Sequence, residues 1–99
     1  MDTFKKQPGE AIIYTMDFTD ALKTGDTVSS VSAPVVTDIS ATPDQVTVPT
    51  VSSVSTSSTG VSFKLSGGID RQTYKATASV TTIAGEILEH EFKLRVREL

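Results

Sequence analysis

A chain of 99 residues has room for one domain and one core, and with no cysteine it must fold on apolar burial, without disulfides. A net charge of −3 spread along the chain lacks the basic footprint of a protein that tracks phosphate backbones, so no nucleic-acid partner is expected. No apolar run approaches the roughly 18 residues of a membrane span, and the polar opening Met1-Asp2-Thr3-Phe4-Lys5-Lys6 lacks the apolar stretch of a secretory signal. Met1 therefore reads as the natural start of a short soluble chain with no membrane partner.

Residues 1–10 are polar, with one aromatic side chain, Phe4, and a Pro8-Gly9 breaker pair. The segment holds too little apolar surface to order itself, so it is expected to be an extended arm outside the core. Phe4 is then an anchor for a neighbouring groove or part of a frayed terminus. Phe4, Lys6 and Pro8 are interface candidates.

In Ala11–Phe18, residues Ile12, Tyr14, Met16 and Phe18 share one face by period 2, which predicts a half-buried strand. Asp17 and Asp20 then suit the start of a short helical turn, and Gly25 suits its end. A calcium loop needs ligands at every second position, and this segment does not supply them. Residues 27–59 are about half Ser and Thr, interleaved with Val. Val28–Val36 and Val46–Val51 are expected as strands, with Pro34, Pro43 and Pro49 at edges or turns. Ser52–Gly60 is expected as a mobile loop.

The last forty residues alternate most cleanly. Val61, Phe63 and Leu65 precede a Gly67-Gly68 turn; Tyr74, Ala76, Ala78 and Val80 share one face; and so do Leu88, His90, Phe92, Leu94 and Val96. Both final apolar sets fall on even numbers, so facing residues must sum to an even number to share a face. A three-residue loop, Ile83-Ala84-Gly85, satisfies that parity and puts Gly85 at the left-handed position. Tyr74 should then face Leu94, Ala76 face Phe92 and Ala78 face His90. Ile83 and Ile87 point to the polar side near the tip and are further interface candidates.

Several short strands with closely spaced turns predict an all-β sandwich of six to seven strands with one short helical turn. Asp70 followed by Tyr74 at a strand start resembles a tyrosine corner, with Ala76 where antibody domains carry a cysteine. That favours an immunoglobulin-like β-sandwich over residues 11–99. No catalytic set is expected: a nucleophilic triad needs a base, and the lone His90 lies on an apolar strand face beside Phe92. Lys93, Arg95 and Arg97 share a face without interleaved aromatics, which suits a solvated surface or a salt-linked protein contact. Neither a metal nor a cofactor is expected.

Phe4, Lys6, Pro8, Glu10, Tyr14, Asp17-Phe18-Thr19-Asp20, Leu22 and Gly25-Asp26-Thr27 resemble the opening of small tail-associated bacteriophage proteins described as fibre–tail adaptors. Leu65-Ser66-Gly67-Gly68, Tyr74, Ala84-Gly85-Glu86 and Phe92-x-Leu94-x-Val96 are similar to that family's second half. Where the family usually carries tryptophan around the Asp-x-x-Asp turn, this chain has Phe18 and Ala21. The resemblance implies a non-enzymatic virion protein made in the bacterial host cytoplasm. It also implies several copies in a symmetric assembly, with tail, neck or fibre subunits as partners. A capsid or tail decoration protein is the near alternative. A carbohydrate-binding or adhesion module is the distant one, disfavoured by the absence of tryptophan and the presence of only two tyrosines.

Overall fold

A computed structural model of the chain describes residues 2–44 and 47–98. Among these residues it is all-β, with eight strands in two sheets and no helix. The strands are β1 (Asp2–Lys6), β2 (Ala11–Asp17), β3 (Val28–Val31), β4 (Val35–Asp38), β5 (Thr50–Thr56), β6 (Gly60–Ser66), β7 (Thr73–Thr82) and β8 (Ile87–Val96). One sheet runs β1-β8-β7-β3, with β4 also paired to β7; the other runs β2-β6-β5.

The inward residues of both sheets form one core. Tyr14, Met16 and Phe18 meet Val61, Phe63 and Leu65 on one side and Tyr74, Ala76, Ala78, Val80, Phe92, Leu94 and Val96 on the other. The β7–β8 register is the one that parity demands: Tyr74 pairs with Leu94, Ala76 with Phe92 and Ala78 with His90. Gly85 takes φ 91° in the loop, a backbone conformation that glycine adopts without steric cost.

The middle of the chain departs from expectation. Val28–Val36 is two strands, because Pro34 is buried between them and has no N–H to give to a ladder. β3 and β4 therefore lie end to end along β7, at Thr82 to Val80 and at Thr77 to Tyr74 respectively. The expected strand at Val46–Val51 begins instead at Thr50, and Val46 lies outside the described residues. Most of the expected loop at Ser52–Gly60 is β5, which reaches Thr56. A bulge between Ser52 and Ser55, with Ser53 at φ 53°, breaks the alternation that would have shown the strand.

The helical turn does not form. Ala21 and Leu22 both donate to the Phe18 carbonyl, then a second turn closes from Asp26 N–H to the Lys23 carbonyl, with Gly25 at φ 83°. Two bonds to one carbonyl make a turn that is never propagated, and nucleating a helix for so short a run is unfavourable.

The reading of residues 1–10 as a loose arm also gives way. β1 pairs in parallel with β8 from Asp2 opposite Phe92 to Lys6 opposite Val96. Phe4 packs its ring against those of Tyr14 and Phe92, with centroids 5.3 and 5.1 Å away, and the three rings form a triangular cluster. The arm orders itself by borrowing β8's edge and the core's aromatic surface. Phe4→Ala should therefore cost about 1–3 kcal/mol, less than a fully buried phenylalanine because the side is part open. Deleting residues 2–6 should lower the denaturant midpoint further; an unchanged midpoint for both variants would place the arm outside the fold.

Candidate functional site

The sequence-derived candidates do not converge on one cleft; the structure sorts them into a closed end, a turn at the opposite end and an exposed hairpin tip. At the closed end, Lys6 is 2% exposed, so it is not the interface residue that its type and position suggested. Its ammonium donates to the carbonyls of Gln7 at 2.7 Å and Gly67 at 2.5 Å, with that of Pro8 at 3.5 Å. Burial lowers its pKa, and the nearby Glu10 opposes that shift. The contact ties the β1–β2 turn to the β6–β7 connection and joins the two sheets at this end. The turn is further closed by Gln7 N–H on the Glu10 carboxylate and Glu10 N–H on the Gln7 carbonyl. Pro8 sits in it half-buried, beside an open cavity of 360 Å³ lined with Gln7, Gly9, Glu10 and Glu98.

Tyr74 lies fully buried next to this turn, and its hydroxyl accepts the Ile69 N–H at 2.9 Å. Burial raises the phenol's pKa; the Ile69 hydrogen bond opposes that, and Asp38 and Asp44 add to the rise. Gly68, at φ 104°, lets the backbone pass close: a Cβ there would stand 2.9 Å from Val96 Cγ2 and 3.5 Å from the Tyr74 ring. Asp70 accepts the Glu98 N–H at 2.8 Å, so its role is to hold the end of the chain against the corner.

Asp38, which the sequence reading passed over, organises the neighbouring loop. It is 3% exposed and its carboxylate accepts from the Ser40 N–H and the Asp44 N–H, both at 2.9 Å, and from Gln72 Nε2 at 2.8 Å. Burial alone pushes this carboxyl up, but the hydrogen bonds from Ser40, Asp44 and Gln72 together outweigh it and leave the pKa lowered. The local signal was Asp38-Ile39-Ser40, an aspartate whose side chain can reach the N–H two residues on.

At the opposite end, Asp17 ends β2 and accepts both the N–H and the hydroxyl of Thr19, which lowers its pKa. It serves a turn and caps no helix; Asp20 is exposed in that turn. His90 is exposed, with its ring edge-on to Phe18 at 5.6 Å. Beside this turn, the Asp26 carboxylate accepts the N–H of Thr27 and of Ala84, fastening the β7–β8 loop to the turn before β3. The tip so held presents Ile83 and Ile87, which are 70% and 74% exposed. Among the described residues, no three His, Asp or Glu side chains gather as a metal-binding group.

The polar side chains thus secure turns and corners, and the conspicuous exposed features are an apolar tip and charged sheet faces. Among the described residues this is a small two-sheet β-module. A family model described as "Podophage GP4 fiber-tail adaptor protein gp77" matches residues 6–95, nearly the whole fold, and the chain belongs to that family. No curated protein matches it.

The Asp38 hub gives a pH dependence with a definite sign. Its folded-state pKa is lowered, so its contribution is present above the ordinary carboxylate range and is lost as pH falls through the folded value. Denaturant stability should decline as pH drops below about 4. Asp38→Asn should cost about 1–3 kcal/mol at neutral pH and decline less steeply in acid. Parallel acid profiles for the two proteins would show that Asp38 carries no such role.

Proposed function

We propose that this protein is a non-enzymatic virion component that joins the tail or neck of a bacteriophage to its fibres. The observation that carries the reading is the extent of the family match. It runs from the last residue of β1 to the penultimate residue of β8, so it takes in both sheets together and not one hairpin. The description of the family names a fiber–tail adaptor, and that description speaks for neither decoration of a capsid nor binding of carbohydrate. Partners on this reading are tail, neck and fibre subunits, with several copies in a symmetric assembly. The protein is made in the host cytoplasm and ends in the particle.

We also read the sandwich as immunoglobulin-like. Three observations support that: the order β2-β6-β5 facing β8-β7-β3, the first strand laid parallel to the last, and the Tyr74 hydroxyl accepting an upstream backbone N–H. A rigid sandwich of this kind suits a connector, since binding to preformed strands and a fastened tip loses little conformational freedom. Phe4 remains a candidate contact, because it is 38% exposed even while packed against Tyr14 and Phe92. Ile83 and Ile87 at the tip are the stronger apolar pair by exposure.

The test is a phage in which this gene is interrupted and then supplied in trans. Particles made without the protein should have tails but lack fibres, and supplying it should restore them. Particles that retain a full complement of fibres would refute the adaptor role.

A further inference from the structure

We propose that the outer face of β1 and β8, centred on Lys5, Lys93 and Arg95, docks a carboxylate-bearing surface of a different protein of the particle. The register places these cations together. Lys5 pairs with Arg95, Lys93 lies opposite both Thr3 and Lys75, and Lys93 and Arg95 are two residues apart on the exposed side of β8. Like charges set on facing strand positions destabilise a sheet unless acids intervene.

The fold does not supply those acids. Glu91 is committed to Lys75 at 3.7 Å, and the other close ion pairs, Lys23–Glu86 and Arg71–Asp70, lie elsewhere. Among the described residues no ion pair reaches Lys5, Lys93 or Arg95. Arg97 extends the stripe, and its guanidinium donates to the neutral carbonyls of Gln72 and Val96, with no ion pair to a carboxylate among the described residues. On this side of β8 the carboxylates are Glu91, engaged with Lys75, and Glu89, four residues before Lys93.

The chemistry favours a protein over a nucleic acid. Base stacking needs aromatics between the cations, and the neighbouring rings, Phe4 and Phe92, turn inward to Tyr14. It also favours a different protein over a second copy laid face to face. With Glu91 engaged, that copy offers only Glu89 from its own β8 face. Opposed charges of this kind set orientation and the rate of encounter as well as affinity.

This inference rests on the adaptor reading, and its test separates the two. In the interrupted phage, the protein is supplied as Lys93→Glu/Arg95→Glu, and its copies per virion are counted by mass spectrometry. Incorporation should fall at least about tenfold, since like-charge juxtaposition costs several times what a lost surface pair does, with the melting temperature of the purified variant held. Lys64→Glu, on the other sheet, should incorporate normally. Should the double reversal fail to fold, Lys93→Gln/Arg95→Gln should show a smaller loss in the same direction, worsened by salt. Suppressors should change Asp or Glu to Lys or Arg in another virion protein. Normal incorporation of the folded reversal, or suppressors confined to this chain, would overturn the docking face. Fibre loss in the interrupted phage would still stand as the separate test of the adaptor role.

Discussion

The pairing of β7 with β8 governs the rest of the molecule. These are the two longest strands, and every other strand of their sheet is hung from one of them: β1 from β8, β3 and β4 from β7. Their register fixes which side chains face inward. A two-residue connection would have turned one strand over and sent Phe92, Leu94 and Val96 to solvent. With the register set, Ala76 lies beside Phe92, and the ring of Phe63 from the opposite sheet stacks on Phe92 with centroids 6.0 Å apart and planes 6° off parallel. A small residue next to a large one is how facing layers interdigitate without voids.

That sheet leaves an open side at β8, and β1 fills it. The short strand brings Phe4 across the gap to Tyr14 on β2, and Lys6 spans from one sheet's edge to the Gly67 carbonyl at the end of the other. A buried ammonium is costly unless carbonyls replace its water, and here the turn that follows supplies two of them. The N-terminal strand therefore fastens both the edge and the end of the sandwich, while its outer side carries Lys5 into the charged face.

Where the period of two was unbroken, the sequence was sufficient. β2, β6, β7, β8 and the loop at Ile83-Ala84-Gly85 could be read from residue types and parity, and the corner role of Tyr74 from its likeness to a tyrosine corner. What escaped was structure held by partners distant in sequence. β1 has too few apolar residues to declare itself, because its stability comes from a strand some ninety residues on. β5 was hidden by its Ser/Thr composition and by the bulge at Ser53. Lys6 was read as an interface candidate and Asp38 was passed over, since nothing local reveals that the Gly67 carbonyl and the Asp44 N–H will close on them. The acidic turn at Asp17 was read one step too far: the hydrogen bonds of a cap were foreseen, but the helix they would cap lacked the length to form.

On the adaptor reading proposed above, contacts fall to strand faces and a tethered tip, because residues 2–6 are a strand of the sheet and Asp26 holds the β7–β8 loop. Charge placement follows the same division. Asp26, Asp38 and Asp70 accept hydrogen bonds from backbone N–H groups, whereas no ion pair among the described residues reaches Lys5, Lys93 or Arg95. The most direct measurement of this account is a reconstruction of the intact virion at a resolution that shows side chains. It should place the sandwich between tail and fibre, with residues 2–6 paired to its own β8 and the Lys93/Arg95 face against carboxylates of a neighbouring protein. Finding the protein away from the fibre attachment, or with that face open to solvent in every copy, would contradict it.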